Sequence, residues 1–162
     1  MPSSPGPSVA LLGPEDGELL RAGPVVHRVL EDGTVTDGRL GAIEVRMPAA
    51  WPGPPQHVHR AHDEAFFVLA GAVRFSSAER THVVGAGGLF VAGIGTPHTF
   101  GNADPDEPAR LLLTVTPQRY VGYFRELAQL APREGGLLDP EEVRALMSRY
   151  ATVPYPERYG DS

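Results

Sequence analysis

The sequence predicts an all-β fold, a barrel or sandwich of short antiparallel strands followed by two C-terminal α-helices. Two observations predict it. Short runs rich in β-branched and aromatic residues are separated at close spacing by turn signals, and after Thr116 the apolar period lengthens from that of a strand to that of a helix. The 17 prolines and 19 glycines among 162 residues supply the chain reversals that so many short strands require.

Taken in order, residues 1–10 open with MPSSPGPS, have almost nothing to bury, and are expected to be disordered. Residues 11–116 carry the barrel. Strands are expected at Pro24–Leu30, Arg39–Met47, Ala65–Leu69, Val73–Phe75, Thr81–Val84, Leu89–Val91 and Arg110–Val115. Between them lie turn signals at Asp32-Gly33, Asp37-Gly38, Gly71, Gly85–Gly88 and Asp104–Pro108. Residues 117–150 carry the helices. Thr116 and Pro117 read as N-cap and first helical residue, ahead of an apolar stripe at Tyr120, Phe124, Leu127 and Ala131. Asp139, Pro140 and Glu142 read as cap, first residue and capping-box acid of a second helix with a stripe at Val143, Leu146, Met147 and Tyr150. These stripes are expected to pack on the barrel or in a dimer interface. The 151–162 tail is polar and Pro-punctuated, and is expected to drape over the surface. No internal repeat is present, so one barrel is expected rather than a duplicated pair.

Composition narrows the chemistry. Apolar residues form 41% and charged residues 21% of the chain, the balance of an ordinary globular domain. The net charge of −6 comes with 14 positive residues that are all Arg and scattered singly, which argues against a nucleic-acid partner. No apolar stretch has the roughly 20 residues that cross a bilayer, and the N-terminus lacks the pattern of a secretory leader, so no membrane partner and a cytoplasmic address are expected. Absence of Cys excludes disulfides, thiolate nucleophiles and iron–sulfur clusters. Absence of Lys excludes a Schiff base and a phosphate-loop lysine. Chemistry is left to His, Asp, Glu, Arg, Tyr, Ser and Thr, or to a metal.

The informative segment is His57-Val58-His59-Arg60-Ala61-His62-Asp63-Glu64, with Gly71 beyond it. On a strand, positions i and i+2 share a face, so His57 and His59 can point together into the interior. Glu64 lies an odd number of steps past His59, so it joins them only if the chain bends between Arg60 and Asp63. A second segment runs from Gly87 through Gly93, Gly95 and His98 to Asn102.

Together the two segments resemble the paired motifs of the cupin superfamily, G-x5-HxH-x3,4-E-x6-G and G-x5-PxG-x2-H-x3-N. The resemblance covers residues 53 to 102 by motif, with departures at two turn positions: Gly53 lies closer to the histidine pair than the pattern has it, and Gly93 stands in place of proline. Carried over by position, it implies that His57, His59, Glu64 and His98 are metal ligands, and that the fold is a single-domain cupin jelly-roll β-barrel. More loosely, the C-terminal region is similar to that of cupins related to quercetin dioxygenases. The implied cofactor is one divalent transition metal ion (Fe, Mn, Ni, Cu or Zn), because three imidazoles and a carboxylate suit such ions.

The function expected from the resemblance is a metal-dependent, dioxygenase-like oxidoreductase acting on a small enolic or aromatic molecule, with Glu64 as the catalytic base. Alternatives are a redox-neutral isomerase, cyclase or lyase, and a non-catalytic small-molecule-binding cupin. An apolar mouth is expected near Met47, Trp51 and Phe66, with Phe66 and Val68 on the same side of their strand as Glu64. His62 is expected to be exposed in the bend, with contact to a metal ligand or to substrate as the alternative, and His27 and His82 to occupy ordinary sheet positions. A homodimer is expected, because the Tyr120, Phe124 and Leu127 stripe must be buried against something.

Overall fold

Alternation along the central strands builds the core. The computed structural model describes residues 8–130 and 138–156. Its strands are β1 (Glu18–Ala22), β2 (Val25–Asp32), β3 (Gly41–Met47), β4 (His57–His59), β5 (Asp63–Ala70), β6 (Ala72–Ser77), β7 (Arg80–Gly85), β8 (Leu89–Ala92), β9 (Thr99–Asn102), β10 (Ala109–Thr116) and β11 (Thr152–Pro154). One sheet has the order β1-β2-β3-β10-β5-β8, a second β7-β6-β9, and β11 pairs with β4. Ile43, Val45 and Met47 on β3, Leu111, Leu113 and Val115 on β10, and Phe66 and Val68 on β5 are buried at every second position. They meet Val73 and Phe75 of β6 and Phe100 of β9 from the facing sheet. Phe75 stacks on Phe90 at 4.5 Å and meets Phe66 edge-on at 5.5 Å. The fold is the expected jelly-roll barrel of antiparallel sheets with two C-terminal helices.

Every pairing is antiparallel, and β10 is the hinge of the large sheet. Leu113 lies opposite Ile43 on one side and Phe66 on the other. Gly71 makes the tight turn out of β5 at φ +76°, where a Cβ would stand 2.8 Å from the Pro108 carbonyl oxygen.

Thr116 is not a helix cap. It is the last residue of β10, paired with Asp63, and a 3-10 turn at Gln118–Tyr120 precedes α1 (Val121–Leu130). Strand pairing outcompetes a cap that local sequence alone suggests. The second helix, α2 (Pro140–Arg149), starts as expected: the Asp139 side chain accepts from the Glu141 N–H at 2.8 Å, and Pro140 is the first residue. Tyr120, Phe124 and Leu127 are buried within the single chain, where α1 packs on β1 and α2. The stripe therefore needs no second copy to be buried. Ala131, residues 1–7 of the expected disordered segment, and residues 157–162 of the tail lie outside the described residues.

The tail reading needs a correction. Residues 152–154 form β11, with Thr152 opposite His59 and Pro154 opposite His57, so this stretch completes the barrel end instead of draping over it. Among the described residues, no helix is long and apolar enough to cross a membrane.

Candidate metal centre

The three-residue strand β4 turns His57 and His59 inward and Val58 outward. It is held on both sides. His57 and His98 exchange backbone hydrogen bonds of 3.0 and 2.9 Å, and the Gly95 N–H donates to the His59 carbonyl at 2.9 Å. These bonds bring the second histidine segment alongside the first. Gly53, at φ +82°, lets the preceding loop lie on β9, since a Cβ there would be 1.8 Å from the Phe100 carbonyl oxygen. After the bend at residues 60–62, Glu64 enters β5 on the inner face with Phe66 and Val68, as strand parity requires.

The structure thus brings together the four residues singled out from the sequence. Glu64 Oε2 lies 2.9 Å from His98 Nε2 and 3.2 Å from His59 Nε2. The His57 ring centroid is 4.7 Å from that of His59 and 4.9 Å from that of His98. All four side chains are buried.

Hydrogen bonds behind the rings decide which nitrogen faces inward. His57 Nδ1 is 2.9 Å from the Pro55 carbonyl and His98 Nδ1 is 2.9 Å from the Thr96 carbonyl. Carbonyls only accept, so each Nδ1 carries a proton. His59 Nδ1 is 2.8 Å from Thr152 Oγ1, whose own proton is directed to the Tyr150 carbonyl at 3.2 Å. The threonine oxygen therefore accepts from Nδ1–H. In their neutral forms all three imidazoles present an Nε2 lone pair to the interior, and His59 Nε2 is buried without a hydrogen-bond partner. Lone pairs facing a carboxylate oxygen at 2.9 to 3.2 Å require a positive charge among them, a proton or a cation. The donors fit a divalent first-row ion on this ground. They form two overlapping triads that could hold one, His57-His59-His98 and His59-His62-Glu64.

The electrostatics fit the same picture. Burial, reinforced by repulsion from His59 and His98, lowers the His57 pKa to about 4. Burial also lowers that of His59 against the opposing charge of Glu64. Glu64 is held well below the usual carboxylate range: burial opposes this, but the charge and close approach of His59 and the hydrogen bonds of His62 and His98 prevail. For His98 burial again pulls down, yet the hydrogen bond and charge of Glu64 raise it.

His62 is the main correction. Expected in solvent, it is 4% exposed, with Nε2 3.2 Å from Glu64 Oε1. The bend folds inward because Asp63 must begin β5 opposite Thr116, which leaves His62 beneath Tyr120. Thr152 and Tyr120 also belong to the site and were not found from the sequence. Tyr120 meets the His59 ring edge-on at 4.6 Å and stacks on Tyr123 at 4.5 Å. Its hydroxyl pKa is pushed well up by burial, then by Tyr123 and the Glu64 charge. Proximity in the motif was the one signal for His62; for Thr152 there was none.

Other expectations divide. His82 is exposed on β7, an ordinary sheet position. His27 faces inward on β2 against Phe124 at 4.8 Å, with Nδ1 unpartnered and its pKa lowered to about 4 by burial. Met47 and Phe66 are fully buried in the core and line no mouth, while Trp51 lies half-buried, edge-on to Phe100 at 5.7 Å. A surface cleft of about 450 Å³ lies on the outer face of β4, lined by Val58, Arg60, Ile94, Gly95 and Tyr155.

Among known proteins, the cupin domain family matches residues 43–115. No curated protein matches the chain. Solved structures similar in fold include KdgF from Halomonas sp., at TM-score 0.60 and 18% identity, covering 69% of this chain and 96% of that one. An RmlC-like cupin from Shewanella frigidimarina matches at TM-score 0.59 and 20% identity over 71% of this chain and 96% of its own. A predicted oxalate decarboxylase from Thermotoga maritima matches at TM-score 0.53 and 16% identity over 57% and 79%. At these identities the likeness is one of fold.

Proposed function

We propose, from the premise that residues 43–115 form a cupin domain, that this chain is a metal-dependent enzyme whose ion is held by His57, His59, Glu64 and His98. Its reaction class is dioxygenase-like oxidation of a small enolic or aromatic molecule. The observation that carries the metal reading is the set of Nδ1 acceptors, Pro55, Thr152 and Thr96, which leave three Nε2 lone pairs facing inward, those of His59 and His98 within 3.2 Å of the Glu64 carboxylate. When bound, the ion would supply Lewis acidity and, for a redox-active metal, electron transfer.

The chain's own part is orientation and proton handling. Tyr120 and Phe66 press on His59 and His98 and keep the rings from turning. Burial of the donors keeps bulk water from competing for the ion. Glu64 is the only carboxylate among the four, and as base it receives a proton from a substrate hydroxyl. A carboxylate of such low pKa is a weak base by itself, so the substrate must arrive acidic or be made so at the site.

Elemental analysis of protein purified without chelator tests the metal, with about one divalent transition ion per chain expected. An oxygen-electrode screen of flavonols and 1,3-dicarbonyls tests the reaction class; turnover without oxygen uptake transfers the assignment to a redox-neutral isomerase, cyclase or lyase. The near-complete burial of every donor favours a second reading, a cupin that binds a small molecule without converting it. Turnover of any substrate overturns that second reading.

A further inference from the structure

We propose that His62 is a positioning residue for the metal centre: its Nε2–H donates to Glu64 Oε1 and holds the carboxylate so that Oε2 alone faces the ion. The inference rests on the four-donor reading above. The two oxygens of Glu64 have different neighbours. Oε2 is shared by His98 Nε2 at 2.9 Å and His59 Nε2 at 3.2 Å, whereas Oε1 meets His62 Nε2 at 3.2 Å. A carboxylate free to rotate can chelate a divalent ion through both oxygens and so occupy two coordination positions. With Oε1 engaged, Glu64 takes one position and another stays open to a substrate.

The ring that does this is fixed in place. It is buried, with its centroid 4.1 Å from the His59 ring and 4.4 Å from the Tyr120 ring, at interplanar angles of 36° and 32°. Tyr120 is itself backed by Tyr123 at 4.5 Å. An ionised carboxylate only accepts hydrogen bonds, so the contact places the His62 proton on Nε2. A nitrogen that carries a proton has no lone pair for a metal. This separates His62 from His57, His59 and His98, whose protons are drawn to Nδ1 by the acceptors behind them.

The test loads the full chain with Cu(II) and counts coordinated imidazoles by pulsed electron paramagnetic resonance, with affinity measured by competition against a chelator. Three imidazoles are expected in the unsubstituted protein. His62→Phe keeps the ring contacts and loses the donor; it should keep three imidazoles while Cu(II) affinity falls about 10- to 100-fold, the usual effect of removing a group that orients a ligand. His62→Gln restores a donor and should recover most of that loss. Four imidazoles in the unsubstituted protein would make His62 a ligand and overturn the positioning role, as would a folded His62→Phe variant that binds as tightly as the parent. The imidazole count needs no variant, so it decides even if His62→Phe does not fold. Failure of the unsubstituted protein to bind any ion would instead overturn the four-donor reading on which this one stands.

Discussion

Thr152 does for His59 what two backbone carbonyls do for His57 and His98, and it does so with a side chain that one substitution can remove. Thr152→Val keeps the shape and loses the acceptor, so the Nδ1 proton of His59 no longer has a fixed place. Metal affinity is expected to drop about 10- to 100-fold by competition titration, with Thr152→Ser staying near the parent. Glu64→Gln should retain the ion at least partly while turnover on an identified substrate falls by roughly 10² to 10⁴, the contribution of general base catalysis; unchanged turnover would leave Glu64 a plain ligand. His27 offers a pH test away from the site. Its pKa is about 4 in the folded chain against 6.5 in the reference state, so the folded form binds fewer protons between those values. Stability is full above about pH 6.5 and declines as pH falls to about 4, by about 3 kcal/mol in total. Urea unfolding at pH 5 and pH 7 should show that His27→Phe loses less stability on acidification than the parent. At this scale the clustering of His57, His59, Glu64 and His98 was legible because ligand chemistry constrains residue type and spacing. His62 and Thr152 were not, since their roles depend on how a bend folds and on which strand pairs with β4.

Among the elements, β3, whose apolar residues alternate, and β5 and β10, which carry continuous apolar runs, could be read from the sequence. The missed ones have little period to read: Glu-Leu-Leu-Arg-Ala in β1, Thr-Phe-Gly-Asn in β9 and Thr-Val-Pro in β11. Tertiary pairing alone makes strands of them. The cap at Asp139 was legible because it is a local hydrogen bond, and the supposed cap at Thr116 failed because a neighbouring strand claims that residue. The helix α2 matters beyond its own packing. It lies against α1 and β11, and Leu146 is its fully buried side chain. Leu146→Ala is expected to cost about 2 to 5 kcal/mol in chemical denaturation. Because the same helix supports β11, the variant should also bind metal more weakly; an unchanged affinity would show that β11 holds its place without α2.

For the whole molecule, the ion and the fold are linked by mass action. If the ion binds only the folded chain, free metal at 100-fold above its dissociation constant stabilises by about 2.7 kcal/mol. Chelation should then lower the melting temperature by roughly 5 to 11 °C at this size, and a melting curve indifferent to chelator would argue against a resident ion. Barrel closure itself was foreseeable from turn density and strand spacing, but its last seam was not. That seam has a consequence in time. Thr152 stands 93 residues beyond His59, and His98 is synthesised well before it. A nascent chain emerging at roughly 5 to 20 residues per second holds all four donors for some seconds before the acceptor for the His59 proton exists. If these four side chains hold an ion, a chain stalled short of residue 152 has them without the acceptor that fixes the His59 tautomer, and should bind that ion more weakly than the finished chain.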